Sequence, residues 1–180
     1  GEQWERGLSL FNEMRKKGVK PSEISFNAAI SACGKGRQWE QAWSLLDDLQ
    51  KAGLTASLIT FNTAISACEK RAHWKRALDL LKMIEEADIM PDVISFSTTI
   101  SACEKGGQWA QALVLFNRMP KAMVTPNDIT FNAVISACEK GRQWERALSL
   151  LNELRETSLR LTVISFSAAI SACEKGEQWE

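Results

Sequence analysis

Two patterns of apolar and polar residues alternate along the chain, and each predicts a short helix. The segment from about Ile24 to Cys33 is apolar around most of a helical circumference, which is typical of a helix that packs on more than one side. The segment from about Trp39 to Gln50 carries one broad apolar stripe, with charged residues such as Glu40 elsewhere. Together the two patterns predict a helical hairpin.

The hairpin pattern repeats every 35 residues. The cysteines are Cys33, Cys68, Cys103, Cys138 and Cys173, and the tryptophans that keep the spacing are Trp4, Trp39, Trp74, Trp109, Trp144 and Trp179. Such self-similarity is the mark of stacked supersecondary units. We therefore expect one repeat array over residues 1–180. Its parts are a partial repeat at 1–22 (second helix), full repeats at 23–57, 58–92, 93–127 and 128–162, and a partial repeat at 163–180 (first helix).

The repeat predicts the fold class, because a single hairpin cannot bury both of its faces. Stacked neighbours form a continuous core, and a small rotation at each repeat produces a superhelix. We expect an all-α fold, an α-solenoid of antiparallel helix-turn-helix hairpins wound as a right-handed superhelix. The first helices would line one side of it and the second helices the other.

Residues that favour helix ends mark the predicted boundaries. The residues before the first helices have side chains that cap helix N-termini: Ser22, Ser57, Asp92, Asn127 and Thr162. Glycine follows the first helix in four repeats, where it is typical of a C-terminal stop: Gly36, Gly106, Gly141 and Gly176. Pro120 should end one second helix at about Met119, because proline interrupts a helix.

Composition and charge bear on which class of protein this is, but they do not indicate a function. The chain is 45% hydrophobic and 24% charged, as in ordinary globular proteins. Its formal net charge is zero, whereas nucleic-acid binders usually carry a basic excess. No apolar stretch approaches the roughly 18 residues that span a bilayer. No targeting segment is visible and neither end resembles a capping repeat, so we expect a fragment of a longer array without a membrane partner.

The 35-residue period and the helix sequences resemble one repeat family. A 34-residue tetratricopeptide repeat would drift by five residues over the five tryptophan intervals. The stretch Ile59–Ser66 resembles the opening of the pentatricopeptide repeat, Arg142–Leu154 resembles its second helix, and Lys20-Pro21-Ser22 resembles its ending. The resemblance covers essentially the whole chain. It implies single-stranded RNA as the partner, read at one base per repeat, and a mitochondrial or plastid location.

The resemblance also implies roles for individual residues. Base reading would fall to the fifth and last residues of the repeats: Asn27, Ser57, Asn62, Asp92, Ser97, Asn127, Asn132, Thr162 and Ser167. The second residues would sandwich the bases: Ile24, Ile59, Ile94, Ile129 and Ile164. Lysines at the end of each first helix would approach the phosphates: Lys35, Lys70, Lys105, Lys140 and Lys175.

The pairs of fifth and last residues imply a target sequence. Asn62 with Asp92 resembles the family's uracil pair, and Ser97 with Asn127 resembles its adenine pair. The pairs that begin at residues 27 and 132 resemble weaker pyrimidine pairs, and the fifth residue at 167 suggests a purine. The implied core is 5′-pyrimidine-U-A-pyrimidine-purine-3′.

Each of these residue sets also has a purely structural interpretation. The last residues are helix caps with or without RNA. Aliphatic residues at helical spacing are usually core residues. A lysine at a helix C-terminus stabilises it through the macrodipole by about 0.3–1 kcal/mol. The glutamates that precede four of the lysines explain the zero net charge, and they need not share the lysines' surface.

The sequence offers little for catalysis or for metal binding. The cysteines lack CxxC spacing and His73 is the one histidine, so we read the thiols as core residues and expect no metal. The tryptophans of the second helix are expected in the core. No nucleophile, base and orienting group recur together, so we expect no enzyme, cofactor or small-molecule substrate.

Three functions remain open from the sequence. The first is sequence-preferring RNA binding in organellar RNA processing, stability or translation. The second is a structural subunit that contacts protein or rRNA in a large organellar assembly such as a ribosome, which the neutral charge favours. The third, peptide binding in the tetratricopeptide manner, is disfavoured by the 35-residue period.

Overall fold

The computed structural model of the chain describes residues 3–36, 38–69 and 72–176. All the regular secondary structure in these residues is helical, and it includes one short 3-10 helix at Pro120–Ala122. The α-helices are α1 (Gln3–Lys16), α2 (Glu23–Lys35), α3 (Trp39–Lys51), α4 (Leu58–Glu69), α5 (Trp74–Glu86), α6 (Val93–Lys105), α7 (Trp109–Arg118), α8 (Asp128–Lys140), α9 (Trp144–Glu156) and α10 (Val163–Lys175).

The even-numbered helices are the predicted first helices, and the odd-numbered helices are the predicted second helices. Their bounds extend the predicted segments by one or two residues at an end. Helix α7 ends at Arg118, as the proline at position 120 requires. None of the helices described is long and apolar enough to cross a bilayer.

The helices form two compact units, over residues 1–91 and 92–180. Within each unit the first helices pack on one another in sequence, and each second helix packs on the first helices of its own and the following repeat. In the second unit, for example, α8 contacts α6, α7, α9 and α10. Contacting helices joined by such short connections run antiparallel. Each unit is therefore a two-layered stack of helical hairpins, which confirms the all-α class.

The core repeats one set of side chains in the first helices α2, α4, α6 and α8. In the four full repeats, the fourth, eighth and eleventh residues of the first helix are almost inaccessible to solvent: Phe26, Ile30, Cys33, Phe61, Ile65, Cys68, Phe96, Ile100, Cys103, Phe131, Ile135 and Cys138. Phe26 and Phe131 meet Phe11 and Phe116 of the preceding second helix edge to face, with ring centroids 5.1 and 5.0 Å apart. Spacings of three and four residues place the set on one helical face, and that face is buried.

Four cysteines belong to this core, as predicted. Burial raises the pKa of the Cys33, Cys68 and Cys138 thiols to about 11 and that of Cys103 to about 12. A thiol with such a pKa stays protonated at neutral pH and is a poor nucleophile and metal ligand. Cys173, on the last helix, is half-buried. The cysteines therefore act as small apolar residues between repeats.

The glycines after the first helices cap them, as predicted. Their backbone angles do not require glycine, since Gly36 and Gly141 have φ values of −77° and −82°, which any residue adopts. The left-handed residue is the next one along the chain, as at Gly107 and Arg142. Glycine is needed instead because a tryptophan covers it. A Cβ at Gly141 would lie 2.3 Å from Trp109 Cδ1.

The same tryptophan–glycine contact occurs at three junctions between repeats. Trp4 lies over Gly36 and Trp144 over Gly176, as Trp109 does over Gly141. These tryptophans are half-buried, whereas the sequence predicted them in the core. Trp39, on α3, packs instead against the ring of His73, with ring centroids 4.5 Å apart. The guanidinium of Arg76 lies over both Trp39 and Trp43. The sixth tryptophan of the ladder, Trp179, lies outside the described residues.

We predict that Gly141→Ala lowers the free energy of unfolding by about 1–3 kcal/mol, as overpacking does. The added Cβ would meet Cγ and Cβ of Trp109 at 2.4 and 2.9 Å, atoms too close to the backbone to move freely. Chemical denaturation measures the change. The matched control is Gly141→Ala in a Trp109→Ala background, where the substitution should be neutral or stabilising because alanine is the better helix former. A neutral or stabilising effect with Trp109 present would contradict this account of the glycine.

Candidate nucleic-acid interface

The second residues of the first helices form a row of exposed isoleucines. Ile24, Ile59, Ile94, Ile129 and Ile164 are between 56% and 80% exposed. In the first four repeats the isoleucine six residues later, such as Ile135, is fully buried. Because an isoleucine in solvent contributes nothing to the core, the structure excludes the core interpretation for the second residues. Within each unit, the exposed isoleucines form a regular apolar surface at one per repeat.

The exposed isoleucines share one helical face with polar residues. On α8 the second, fifth, ninth and thirteenth residues are Ile129, Asn132, Ser136 and Lys140, at spacings of three and four that place them in line. We call the surface that these four positions form on the first helices of each unit the first-helix face. A shallow cavity of about 330 Å³ opens on this face between α8 and α10. It is lined by Ser136, Glu139, Val163, Ile164, Ser167, Ala168 and Ser171.

The last residues of the repeats are helix caps, as the sequence predicted. Asn127 caps α8: its Oδ1 accepts from Thr130 N at 2.9 Å, and its own N–H donates to Thr130 Oγ1 at 3.2 Å. The same reciprocal pair of bonds opens the other first helices, at Ser22, Ser57, Asp92 and Thr162. In the caps formed by Asp92 and Asn127 the accepting atom is Oδ1. The second carboxylate oxygen of Asp92 and the amide nitrogen of Asn127 take no part in the cap.

The fifth residues differ in what they can offer a ligand. Ser97 is only 6% exposed, and its hydroxyl lies 2.6 Å from Thr130 Oγ1. Asn132 Oδ1 accepts from Ser165 Oγ at 2.6 Å. Asn27 Oδ1 is buried and has no hydrogen-bond partner in the described residues. Asn62 is half-buried on α4, and Ser167 is exposed on α10. The sequence treats these five residues as equivalent, but the structure shows that they are not.

Glu23 lies beside Asn27 and Ser57, the first pair of residues predicted to read a base, and it is not among the predicted site residues. Its carboxylate accepts from Thr60 Oγ1 at 3.2 Å. Hydrogen bonds from Ser57 above all, and also from Thr60 and Asn27, hold the pKa of Glu23 below its ordinary value. A base bound at this repeat must compete with a carboxylate for Asn27 and Ser57. The first residue of a repeat is acidic only here and at Asp128, and that was the available signal.

The lysines of the first-helix face are paired with glutamates. Lys140 Nζ lies 2.5 Å from Glu104 Oε1 and 3.4 Å from the Glu104 carbonyl oxygen, at the C-terminus of α6. Lys175 pairs in the same way with Glu139. The glutamates therefore do share the lysines' surface, where they lie largely covered. The lysines both neutralise these carboxylates and stabilise helix ends. Lys35 and Lys105 are exposed, and Lys70 lies outside the described residues.

The sequence matches models of one family over more than half of the chain. The PPR repeat family model matches residues 21–70 and 91–140, and the PPR repeat model matches residues 59–89 and 129–158. The pentatricopeptide repeat domain model matches residues 5–36.

The chain belongs to the pentatricopeptide-repeat family.

Solved structures of pentatricopeptide-repeat proteins share the fold at low sequence identity. The chain superimposes on maize PPR10 in complex with an 18-nt psaJ RNA element with a TM-score of 0.86 at 20% identity, covering 98% of this chain and 26% of PPR10. It superimposes on the PPR domain of Arabidopsis thaliana protein-only RNase P 1 in complex with tRNA with a TM-score of 0.81 at 15% identity, covering 96% and 91% of the two chains. A comparison with curated proteins finds no significant match. The fold is therefore an α-solenoid of pentatricopeptide repeats.

Two further positions of the pentatricopeptide repeats contact or line the first-helix face. The third residue is a hydroxyl in every repeat, and Thr130 and Ser165 contact the fifth residue of the preceding repeat. The ninth residue is serine in every repeat, and Ser136 and Ser171 line the cavity between α8 and α10. Their invariance within the chain was the signal for both. Among the described residues, no cluster of three or more His, Cys, Asp or Glu side chains could hold a metal.

We predict that Ile129→Ala changes the free energy of unfolding by less than about 0.5 kcal/mol, because an exposed side chain is truncated. The matched control is Ile135→Ala on the same helix, where a fully buried isoleucine should lose about 2–5 kcal/mol. Urea denaturation of the two variants makes the comparison. Equal losses would contradict the assignment of the second residues to a ligand surface.

Proposed function

We propose that this chain binds single-stranded RNA along the first-helix face, at about one base per repeat, in organellar RNA processing, stability or translation. The observation that carries the proposal is the row of exposed isoleucines, one per repeat, beside the fifth and last residues. Binding rather than catalysis is the activity that such a face supports. The solved neighbours support an RNA ligand, since PPR10 is bound to RNA and the PPR domain of protein-only RNase P 1 is bound to tRNA. The chain spans 26% of PPR10, so the role of the whole protein is part of the proposal.

The spacing of packed helices suits a base between two isoleucines. Packed helices lie about 8–10 Å apart. Two van der Waals contacts of about 3.5–4.0 Å, one on each side of a flat ring, need about 7–8 Å. A base between Ile129 and Ile164 would therefore contact both and withdraw their exposed apolar surface from water. This contact is blind to sequence, because every base has an apolar face.

Base preference would come from the edges of the bases, through the fifth and last residues. Asn62 with Asp92 would select uracil and Ser97 with Asn127 adenine, with pyrimidines at the pairs on either side and a purine opposite Ser167. The proposed core is again 5′-pyrimidine-U-A-pyrimidine-purine-3′. Because Glu23 competes for Asn27 and Ser57, the base preference should be weakest at the first position of the core.

The phosphate contacts should contribute less than in a basic RNA-binding protein. Two of the lysines of the first-helix face are paired with Glu104 and Glu139, and the net charge of the chain is zero. Each phosphate that a lysine neutralises on a single strand contributes about 0.7 to the slope of log affinity against log salt. A shallow slope, with stacking and base edges dominating, is the expected signature.

The second candidate function is a structural subunit of a large organellar assembly, contacting protein or rRNA without reading bases. The observation that favours it is the same neutralisation of the lysines by glutamates. The exposed isoleucines would then pack against a partner protein. Binding to RNA without base preference, or no binding to RNA, is what this function requires.

We predict that Asp92→Asn changes the preferred base at one position from uracil to cytosine. Asp92 caps α6 with Oδ1 at 2.8 Å from Ser95 N, and Asn127 caps α8 in the same way, so the variant keeps its cap. A carboxylate oxygen accepts, as uracil N3–H requires, whereas an amide nitrogen donates, which suits the N3 acceptor of cytosine. The ratio of affinities for U and C should change by about tenfold, or about 1.4 kcal/mol.

Fluorescence anisotropy with short RNAs that carry the core and its single-base variants measures these ratios. The RNA of complementary sequence is the control for sequence preference. Glu153→Gln, which removes one negative charge from an exposed site on a second helix, controls for charge and should leave the ratio unchanged. Equal binding of the core and its complement would refute the base-reading proposal and favour the structural subunit.

A further inference from the structure

Thr130, the third residue of its repeat, connects the two residues proposed to read adenine. Its hydroxyl lies 2.6 Å from Ser97 Oγ and 2.8 Å from Asn127 Oδ1. Thr130 is fully buried and Ser97 is nearly so, so no solvent competes for these bonds. All three residues lie in the second compact unit.

The protons in this cluster can be assigned from the backbone. Thr130 N–H donates to the Asn127 side chain at 2.9 Å, so the atom that accepts must be the amide oxygen. Thr130 Oγ1 lies 2.8 Å from the same oxygen and must therefore donate its one proton to it. Asn127 N–H donates to Thr130 Oγ1 at 3.2 Å, which occupies one lone pair. The one remaining arrangement has Ser97 as the donor to Thr130, at 2.6 Å.

This assignment gives the reading pair a fixed polarity. The Ser97 proton is engaged, so Ser97 Oγ can only accept from a ligand. The Asn127 oxygen is held by the cap, so its amide nitrogen can only donate. Adenine and cytosine present an amino donor beside a ring-nitrogen acceptor on the Watson–Crick edge, and they match this pair. Guanine and uracil present a carbonyl acceptor beside an N–H donor and do not.

We propose that Thr130 is a positioning residue for base selection: its hydroxyl fixes Ser97 as an acceptor and Asn127 as a donor, which selects amino bases over keto bases. The inference rests on the proposed function and adds a third residue to the pair. A serine at the equivalent position of the next repeat, Ser165, contacts Asn132 at 2.6 Å and Thr162 at 3.0 Å. In the first unit Thr60 donates to Glu23, so the device is not built into every repeat.

The test measures affinities of the full chain for four RNAs that differ only at the adenine of the core. Thr130→Val removes the hydroxyl at nearly constant volume and frees the Ser97 proton to face either way. The preference for A over G should fall by about 3- to 10-fold, the effect of one hydrogen bond, while the preference for A over C is unchanged. Thr130→Ser should restore the preference. Ser97→Ala leaves the cap intact, should lower the same ratio, and should cause no further loss when combined with Thr130→Val.

Ser25→Ala is the matched control for helix capping. Ser25 bonds to Ser22 in the same reciprocal cap, but among the described residues it makes no hydrogen bond to a fifth residue, so this variant should keep the A-over-G ratio. An equal loss of affinity for all four RNAs in Thr130→Val, with the ratio retained in Ser97→Ala, would overturn the inference and leave Thr130 as a helix cap. Base preference elsewhere in the core but none at this position in the unmodified chain would also overturn it. Failure of the unmodified chain to bind any of the RNAs would instead overturn the proposed function.

Discussion

Within each compact unit, packing of each first helix against the first helix of the next repeat is the contact on which the rest of the structure depends. Phenylalanine, isoleucine and cysteine at fixed positions fill the space between the helices, and a tryptophan covers the glycine at the end of the next first helix. Interiors packed to this density do not tolerate an added atom, which is why glycine stands at a site whose backbone angles are ordinary. The repeat is therefore constrained by its neighbour more than by its own helices.

The same contact creates the first-helix face. Burying the fourth, eighth and eleventh residues leaves the second, fifth and ninth in line on another face of each first helix, so isoleucine, a short polar side chain and serine recur there once per repeat. It also brings the third residue of one repeat against the fifth residue of the repeat before it, as at Thr130 and Ser97. In our proposal stability and base selection are joined in one cluster, since Thr130 caps α8 and its hydroxyl also contacts Ser97. The effect of a substitution at such a position on RNA binding must be compared with that of a variant that loses only a helix cap.

The period, the helix bounds and the caps could be predicted from the sequence, because each depends on residues close together in the chain. Contacts between repeats could not. The pairing of Lys140 with Glu104 joins residues 36 apart, and the pattern of adjacent glutamates and lysines suggested separate surfaces. The competition of Glu23 for Thr60 and the burial of Ser97 arise in the same way, from a neighbouring helix. For the second residues, helical spacing alone fits a core as well as a ligand surface, and only the observed exposure rules out the core.

The central claim is that RNA lies on the first-helix face with its bases between the exposed isoleucines. Methyl NMR of isoleucine-labelled protein tests it most directly, because a base ring over a methyl group shifts its resonance. Adding RNA with the proposed core should shift the methyl groups of Ile24, Ile59, Ile94, Ile129 and Ile164. It should leave those of the buried Ile30, Ile65, Ile100 and Ile135 nearly unchanged. Unshifted exposed isoleucines in a chain that binds the RNA would contradict the account.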